Sequence, residues 1–190
     1  MISKADLRTR LRAARRVHVE AQPDSIRALL FHRPPAPLLA KIGSEATIAL
    51  YHASDAEAPT SAYAKYFIEA GHTLALPAFA SQETSMEFRQ HTDPFDECDL
   101  EEGAFGMMQP TNAAAVVRPD VLFVPLIGFT QDGARLGQGG GHYDRWLAAN
   151  PGRMAIGLAW DAQLCEDLPM EPHDVALDAI VTPTRLYGPF

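Results

Sequence analysis

Residues Ala46-Thr-Ile-Ala-Leu-Tyr51 form a short apolar run with no helical period, which predicts a strand. After a polar turn, Thr60 to Ala70 carries Tyr63, Phe67 and Ala70 at helical spacing, Gly71 ends that pattern, and Thr73 to Leu76 returns to strand character. Strand, helix and strand in this order predict a parallel pair joined by a right-handed crossover, because a twisted strand feeding a right-handed helix packs back onto the sheet only that way. The expected fold is therefore α/β: a single domain over residues 1–190, three-layered and doubly wound, with a mainly parallel sheet and flanking helices.

Toward the N-terminus, Ser3 is placed to cap a helix running from Lys4 to Arg16, with Leu7, Leu11 and Ala14 on one face. Lys4, Arg8, Arg12 and Arg15 fall on a neighbouring stripe. Asp24 is placed to cap a second helix through Ile26, Leu29 and Leu30, which the run Arg33-Pro-Pro-Ala-Pro37 should end, since proline lacks an amide donor.

Toward the C-terminus, periodicity weakens between Ala80 and Ala115, where an acidic stretch from Asp93 to Glu102 precedes Gly103 and Gly106; loops and short strands are expected. Val121-Leu-Phe-Val124 has the character of a buried strand, closed by Pro125. A helix from Tyr143 to Ala149, a strand from Met154 to Ala159 and a last strand around Ala179 to Thr182 follow, for five or six strands in all.

With 190 residues, 47% hydrophobic and 21% charged, the composition fits one ordinary globular domain and neither a disordered nor a fibrous chain. Sixteen Lys and Arg against twenty-four Asp and Glu give a formal charge of -8, which should repel nucleic acid and anionic membranes, so neither is expected as a partner. Cys98 and Cys165 are too few for a disulfide framework or a four-ligand zinc site, and reduced thiols are expected. No apolar run approaches the roughly 20 residues of a spanning helix, and the N-terminus has no apolar signal core, so a cytoplasmic protein is expected.

The segment most informative about function runs from Gly128 to Arg145, between the predicted buried strand and the next helix; six of its eighteen residues are glycine. Glycine lets backbone amides approach an anion, and the following helix N-terminus adds partial positive charge, so a phosphate cradle is the natural reading. Arg135 and Arg145 can pair with phosphate oxygens, and Asp144 can hold a hard cation such as Mg²⁺. The loop matches neither the P-loop pattern nor the dinucleotide fingerprint, and a purely structural turn is the competing reading.

Val124-Pro-Leu-Ile-Gly-Phe129 followed by Gly133-Ala-Arg-Leu-Gly-Gln-Gly-Gly-Gly-His-Tyr-Asp-Arg145 resembles the signature of the 5-formyltetrahydrofolate cyclo-ligase family. The N-terminal Lys4-x-x-Leu-Arg8, the strand at Ile156 with Asp161 and Gln163, and the closing segment from Pro172 to Thr182 extend that resemblance to both ends of the chain. Departures fall at Gln109, where the family usually has Glu before Pro, and at Gln138 and His142.

The resemblance implies an ATP- and Mg²⁺-dependent conversion of 5-formyltetrahydrofolate to 5,10-methenyltetrahydrofolate with release of ADP and phosphate. It implies phosphate contacts from Lys4, Arg8, Arg135, Gly137, Gln138, Gly139, Gly140, Gly141, His142 and Tyr143. The same run at Gly139, Gly140, Gly141 and His142 would also face the pterin side of the substrate, Glu57 would bind the pterin ring, and Asp144 and Asp174 would be the magnesium ligands. No protein nucleophile is expected, because phosphoryl transfer needs alignment and charge neutralisation more than covalent catalysis. His173 is expected to orient the Asp174 turn, and Trp160, Phe79 and Phe105 suit either a pocket or the core. The expected partners are 5-formyltetrahydrofolate and ATP, with the chain a monomer or weak homodimer. Other readings are a different phosphate-using enzyme on the same sheet, a non-catalytic folate or nucleotide module, and an interaction protein using the acidic stretch.

Overall fold

A computed structural model describes residues 3–27 and 29–190. The first helix, α1 (Lys4–Glu20), begins where the Ser3 hydroxyl accepts the Asp6 amide at 3.1 Å. Its buried stripe is Leu7, Leu11, Arg15 and Val19, a strict four-residue repeat, so Ala14 stays exposed and the helix runs a turn longer than expected. Arg15 parts from the other members of its basic stripe: its side chain is buried, with Nη1 donating to the Leu126 carbonyl at 3.3 Å.

The predicted second helix shortens to one turn, α2 (Asp24–Arg27), with Ile26 and Leu29 exposed; the Asp24 side chain and its expected cap lie outside the described residues. The proline run does more than end it. Pro35 precedes α3 (Ala36–Leu39), a turn that accepts Pro37 because first-turn amides have no intrahelical acceptor to lose.

The expected order and parallel pairing are present: β1 (Ile48–Ala49), α4 (Ser61–Glu69) and β2 (Leu74–Ala78), with Ile48 opposite Leu74 in parallel register. Beyond it lie β3 (Glu87–His91), the hairpin β4 (Leu100–Glu102) with β5 (Met108–Pro110), and β6 (Val116–Val117). Then come β7 (Val121–Pro125), a small hairpin of β8 (Gly128–Phe129) with β9 (Arg135–Leu136), and α5 (His142–Ala149). β10 (Met154–Leu158), a 3-10 turn at Asp161–Gln163, β11 (Ala179–Val181) and β12 (Leu186–Tyr187) complete the order.

The main sheet has eight strands rather than five or six, in the order β12-β11-β10-β7-β1-β2-β3-β6. Its centre, from β11 to β2, is parallel throughout, and the extra strands β12, β3 and β6 are antiparallel additions at the edges. From β1 the chain steps outward to β2, then returns to the other side of β1 for β7, β10 and β11. The strand order thus reverses at β1, and a crevice outside the carboxyl ends is the geometric consequence.

Alternate residues supply the two faces. Ile48, Leu74, Phe123 and Ile156 pack with Tyr63 and Phe67 of α4, Leu38 of α3 and Val19 at the end of α1. Ala49, Leu122, Val124 and Ile180 pack with Leu147 of α5. A third cluster joins Leu7 and Leu11 of α1 to Ile127, Leu136 and Leu168, which seats the basic helix beside the small hairpin. Cys98 and Cys165 are unpaired, as expected. Among the described residues no helix is long and apolar enough to cross a membrane.

Candidate active site at the reversal of strand order

β1 is short because Tyr51, which follows Leu50, is captured by the next loop. Its carbonyl accepts Thr60 Oγ1 at 2.6 Å and its phenol donates to the Ala58 carbonyl at 2.7 Å. That folded loop brings Glu57 to the carboxyl ends of the strands. There a cavity of about 440 Å³ is lined by Tyr51 and Glu57 after β1, Pro77 and Phe79 at the end of β2, Pro125 of β7, and the glycine segment.

The glycine segment contributes Arg135, Gly137, Gln138, Gly140, Gly141, His142, Tyr143 and Asp144 to the lining. Gly139 and Gly141 have φ of +115° and +63°, a left-handed region that disfavours side chains. At Gly140 a Cβ would lie 2.6 Å from the His142 ring. Two carbonyls of the loop are drawn toward α1, since Arg8 Nε donates to Gly137 O at 2.9 Å and Arg12 Nη2 to Gln138 O at 2.8 Å. The amides of Gly139, Gly140 and Gly141 donate to no group among the described residues. Gly141 is also the residue that starts α5, so these amides sit at a helix N-terminus, where an anion is stabilised.

Arg135 is almost wholly enclosed, with its side chain 3% exposed. Nη2 donates to Asp144 Oδ1 at 2.6 Å and Nη1 to the Val175 carbonyl at 2.6 Å. Burial lowers its pKa, opposed by the charges of Asp144 and Asp174. Here Arg135 braces the loop against the terminal segment. Arg145 donates to His142 Nδ1 at 3.0 Å and its side chain is otherwise at the surface.

His142 packs edge-on against Phe79 and Phe105, with ring centroids 4.8 and 5.6 Å away. Burial and the Arg145 charge both lower its pKa, so the ring is neutral near pH 7. The Tyr143 hydroxyl is buried without a hydrogen-bond partner among the described residues, although its residue lines the cavity, and burial raises its pKa. A buried hydroxyl without a partner costs free energy that a bound polar ligand can recover.

Glu57 Oε2 accepts the Ser54 amide at 2.9 Å and the Ser54 hydroxyl at 3.0 Å, while Oε1 accepts Gln138 Nε2 at 2.8 Å. Lys4, Arg8, Gly139 and Asp174 stand outside the lining, though linked to it. Lys4 Nζ lies 2.6 Å from Asp174 Oδ2 and 2.7 Å from Glu171 Oε2. Burial works against Lys4's charge, but the hydrogen bonds to Asp174 and Glu171 outweigh it and raise its pKa; burial pushes Asp174 up, but Lys4 and the Glu171 amide hold it below the usual carboxylate range. The Asp174 turn is oriented by its own carboxylate, which accepts the Glu171 amide at 2.7 Å, while the exposed His173 ring stands 3.9 Å from Asp174.

The donor set suits a hard cation. Asp144 Oδ2 accepts no hydrogen bond among the described residues, Asp174 Oδ1 has only the distant His173 beside it, and both carboxylates act on the same guanidinium of Arg135. Ligand atoms of Glu171, His173 and Asp174 also lie within 4.8 Å of one another.

Several site residues escaped the sequence reading. Gln109 is buried, its Oε1 accepting the Phe79 amide at 3.0 Å and its Nε2 donating to the Phe79 carbonyl at 3.2 Å. One side chain must both donate and accept here, which a carboxamide does and an ionised carboxylate cannot. Met86, Met107 and Met108 line the same cavity without any periodic signal to announce them. Of the three aromatic residues that suited either a pocket or the core, Phe79 and Phe105 line the cavity, whereas Trp160, 1% exposed, lies in the core and borders a neighbouring cavity of about 350 Å³.

A parallel sheet with its crevice where the strand order reverses, fronted by a glycine loop and a basic helix, defines an α/β protein built to hold a small polar ligand. More narrowly, the chain belongs to the 5-formyltetrahydrofolate cyclo-ligase family, a family of enzymes whose sequence pattern matches residues 1–183. It is 34% identical over 140 residues to the 5-formyltetrahydrofolate cyclo-ligase of Haemophilus influenzae, covering 68% of this chain and 72% of that protein. Against the Escherichia coli (strain K12) relative of the same name it is 46% identical over 72 residues, which span 37% of this chain and 40% of that protein. The structure resembles that of the Aquifex aeolicus 5,10-methenyltetrahydrofolate synthetase with a TM-score of 0.77 at 25% identity, over 99% of this chain and 93% of that one.

Proposed function

We propose that the protein converts 5-formyltetrahydrofolate to 5,10-methenyltetrahydrofolate at the expense of ATP, with Mg²⁺, releasing ADP and phosphate. It would act as one domain over residues 1–190, in the cytoplasm, as a monomer or weak homodimer. The observation that carries this reading is the convergence of Glu57 and the segment from Arg135 to Asp144 on one cavity, in a chain of this family.

The formyl oxygen is a poor leaving group. In the proposed reaction it takes the terminal phosphoryl group of ATP, and the ADP oxygen leaves with the bond electrons. The folate N10 then attacks the activated formyl carbon and loses its proton, the ring closes, and the carbon–oxygen bond breaks to release phosphate. The acceptor is an oxygen of the substrate, so the protein need supply no nucleophile.

What the chain supplies is placement and charge. The free amides of Gly139, Gly140 and Gly141 and the N-terminus of α5 would hold phosphate oxygens, with Arg145 beside them and Lys4 and Arg8 approaching from α1. Arg135 fixes Asp144 at the edge of that cradle. Mg²⁺, held by Asp144 and Asp174, would neutralise the charge of the phosphates. Glu57 would accept from pterin N–H groups, and the partnerless Tyr143 hydroxyl offers a further polar contact inside the cavity.

The test is the near-ultraviolet absorbance of the methenyl product when purified protein meets 5-formyltetrahydrofolate, ATP and Mg²⁺, with each omitted in turn. Signal that requires all three supports the proposal. ATP turnover that ignores the folate would replace it with a different phosphate-using activity.

A further inference from the structure

The structure gives the Gln138 side chain a specific occupation. Its Oε1 accepts Arg12 Nη2 at 3.1 Å, and its Nε2 donates to Glu57 Oε1 at 2.8 Å. Arginine only donates and an ionised carboxylate only accepts, so the orientation of the carboxamide is settled: oxygen toward α1, NH₂ toward Glu57. Arg12 also holds the Gln138 carbonyl at 2.8 Å, which anchors the residue at both its backbone and its side chain.

The bond joins two parts of the site 81 residues apart in sequence. Glu57 borders both cavities, the one of about 440 Å³ at the glycine loop and the one of about 350 Å³ beside it. Oε2 already accepts both the amide and the hydroxyl of Ser54, and Gln138 takes one of the two acceptor sites of Oε1, so one site is left where a ring presenting two adjacent N–H donors needs two.

We propose that Gln138 is a built-in competitor of the substrate: its carboxamide NH₂ holds the Glu57 oxygen that the amide-like N–H groups of the pterin ring must take, and it is displaced when the folate binds. The inference rests on the assignment of Glu57 to the pterin ring made above. Its neighbours allow the displacement. Rotation of the side chain alone suffices, since Arg12 holds the backbone carbonyl separately while Nε2 leaves Glu57. A ligand that must first open such a contact binds with its affinity reduced by the fraction of molecules already open. Gln138 therefore sets the folate affinity of this chain through Glu57.

Titration calorimetry with 5-formyltetrahydrofolate, in the absence of ATP, tests this on the whole protein and on Gln138→Ala and Gln138→Asn. Asparagine keeps the amide but is one methylene too short to reach Glu57. Both variants are expected to bind the folate roughly fivefold tighter than the parent does. Unchanged or weaker folate binding in both variants, beside a parent that binds it, overturns the inference alone. A parent that takes up no 5-formyltetrahydrofolate overturns the proposed function and the inference together.

Discussion

Asp144 Oδ1 accepts two hydrogen bonds at once, from Arg135 at 2.6 Å and from the Val175 amide at 3.1 Å. One carboxylate oxygen thus ties the small hairpin, the start of α5 and the terminal segment together, and the other accepts no hydrogen bond among the described residues.

Asp144→Asn should separate this bracing from the proposed cation contact. The amide can still meet the Val175 amide through its oxygen, but it no longer compensates the buried Arg135 charge, a loss of about 3 kcal/mol by analogy with broken buried pairs. ATP use at limiting Mg²⁺ should fall by about 100-fold or more. Thermal unfolding and an Mg²⁺ titration of turnover check both; parental turnover would remove Asp144 from the cation site.

Gly140→Val should abolish nucleotide binding in a folded protein. The added Cβ would lie 2.6 Å from His142, and relieving that contact moves the ring off Phe79 and into the cradle. Circular dichroism shows whether the fold survives, and fluorescence titration with a nucleotide analogue reads the loss; parental affinity contradicts the cradle.

Gln109→Glu should destabilise the protein by about 1–3 kcal/mol at neutral pH, because an ionised carboxylate would face the Phe79 carbonyl with no donor to offer. Burial and that carbonyl raise the pKa of the introduced carboxyl. The loss should shrink as pH falls through that raised value and the protonated group regains a donor. Melting temperatures from pH 4 to 8 test the trend, and a constant offset would refute it.

Lys4→Met should lower the melting temperature only within a pH window. Asp174 has a depressed pKa in the folded chain, so its share of the Lys4 contact is present above the unfolded value of about 4 and lost as pH falls through the folded one. Lys4 has a raised pKa, so its share is present below about 10.5 and lost as pH rises through the folded value. Parent and variant should differ between those limits and converge outside them. Glu171 and His173, which face the same ammonium–carboxylate pair, are to be kept unchanged in the comparison.

The centre of the fold was legible in the sequence because its residues obey one period at a time. Ile48, Leu74, Val121 and Ile156 announce buried strands, and Tyr63 with Phe67 announces the covering helix. The edges were not legible: β6 and β12 are two residues each, below the length at which alternation can be read, and β3 carries Glu87, Arg89 and Gln90. Arg15 was grouped with the basic stripe rather than with Leu7 and Leu11, whereas its position in the four-residue repeat of α1 put it inside. At the site, the glycine loop with Arg135, Arg145 and Asp144 was visible from residue type, and Lys4, Arg8, Glu57 and Asp174 only through the family resemblance, but the pairing of Gln138 with Glu57 and of Gln109 with Phe79 depends on folding that brings distant loops together.

The contact between Lys4 and Asp174 spans 170 residues and closes the ring of groups around the cradle. A chain made from its N-terminus onward can build β1, α4 and β2 early, yet it holds Lys4 without its acidic partners until the segment before β11 has left the ribosome. The nascent protein would therefore carry the first strands of its sheet before it carries a finished site, and clipping the segment around Glu171 in the mature chain would loosen the hold of Lys4 on that site.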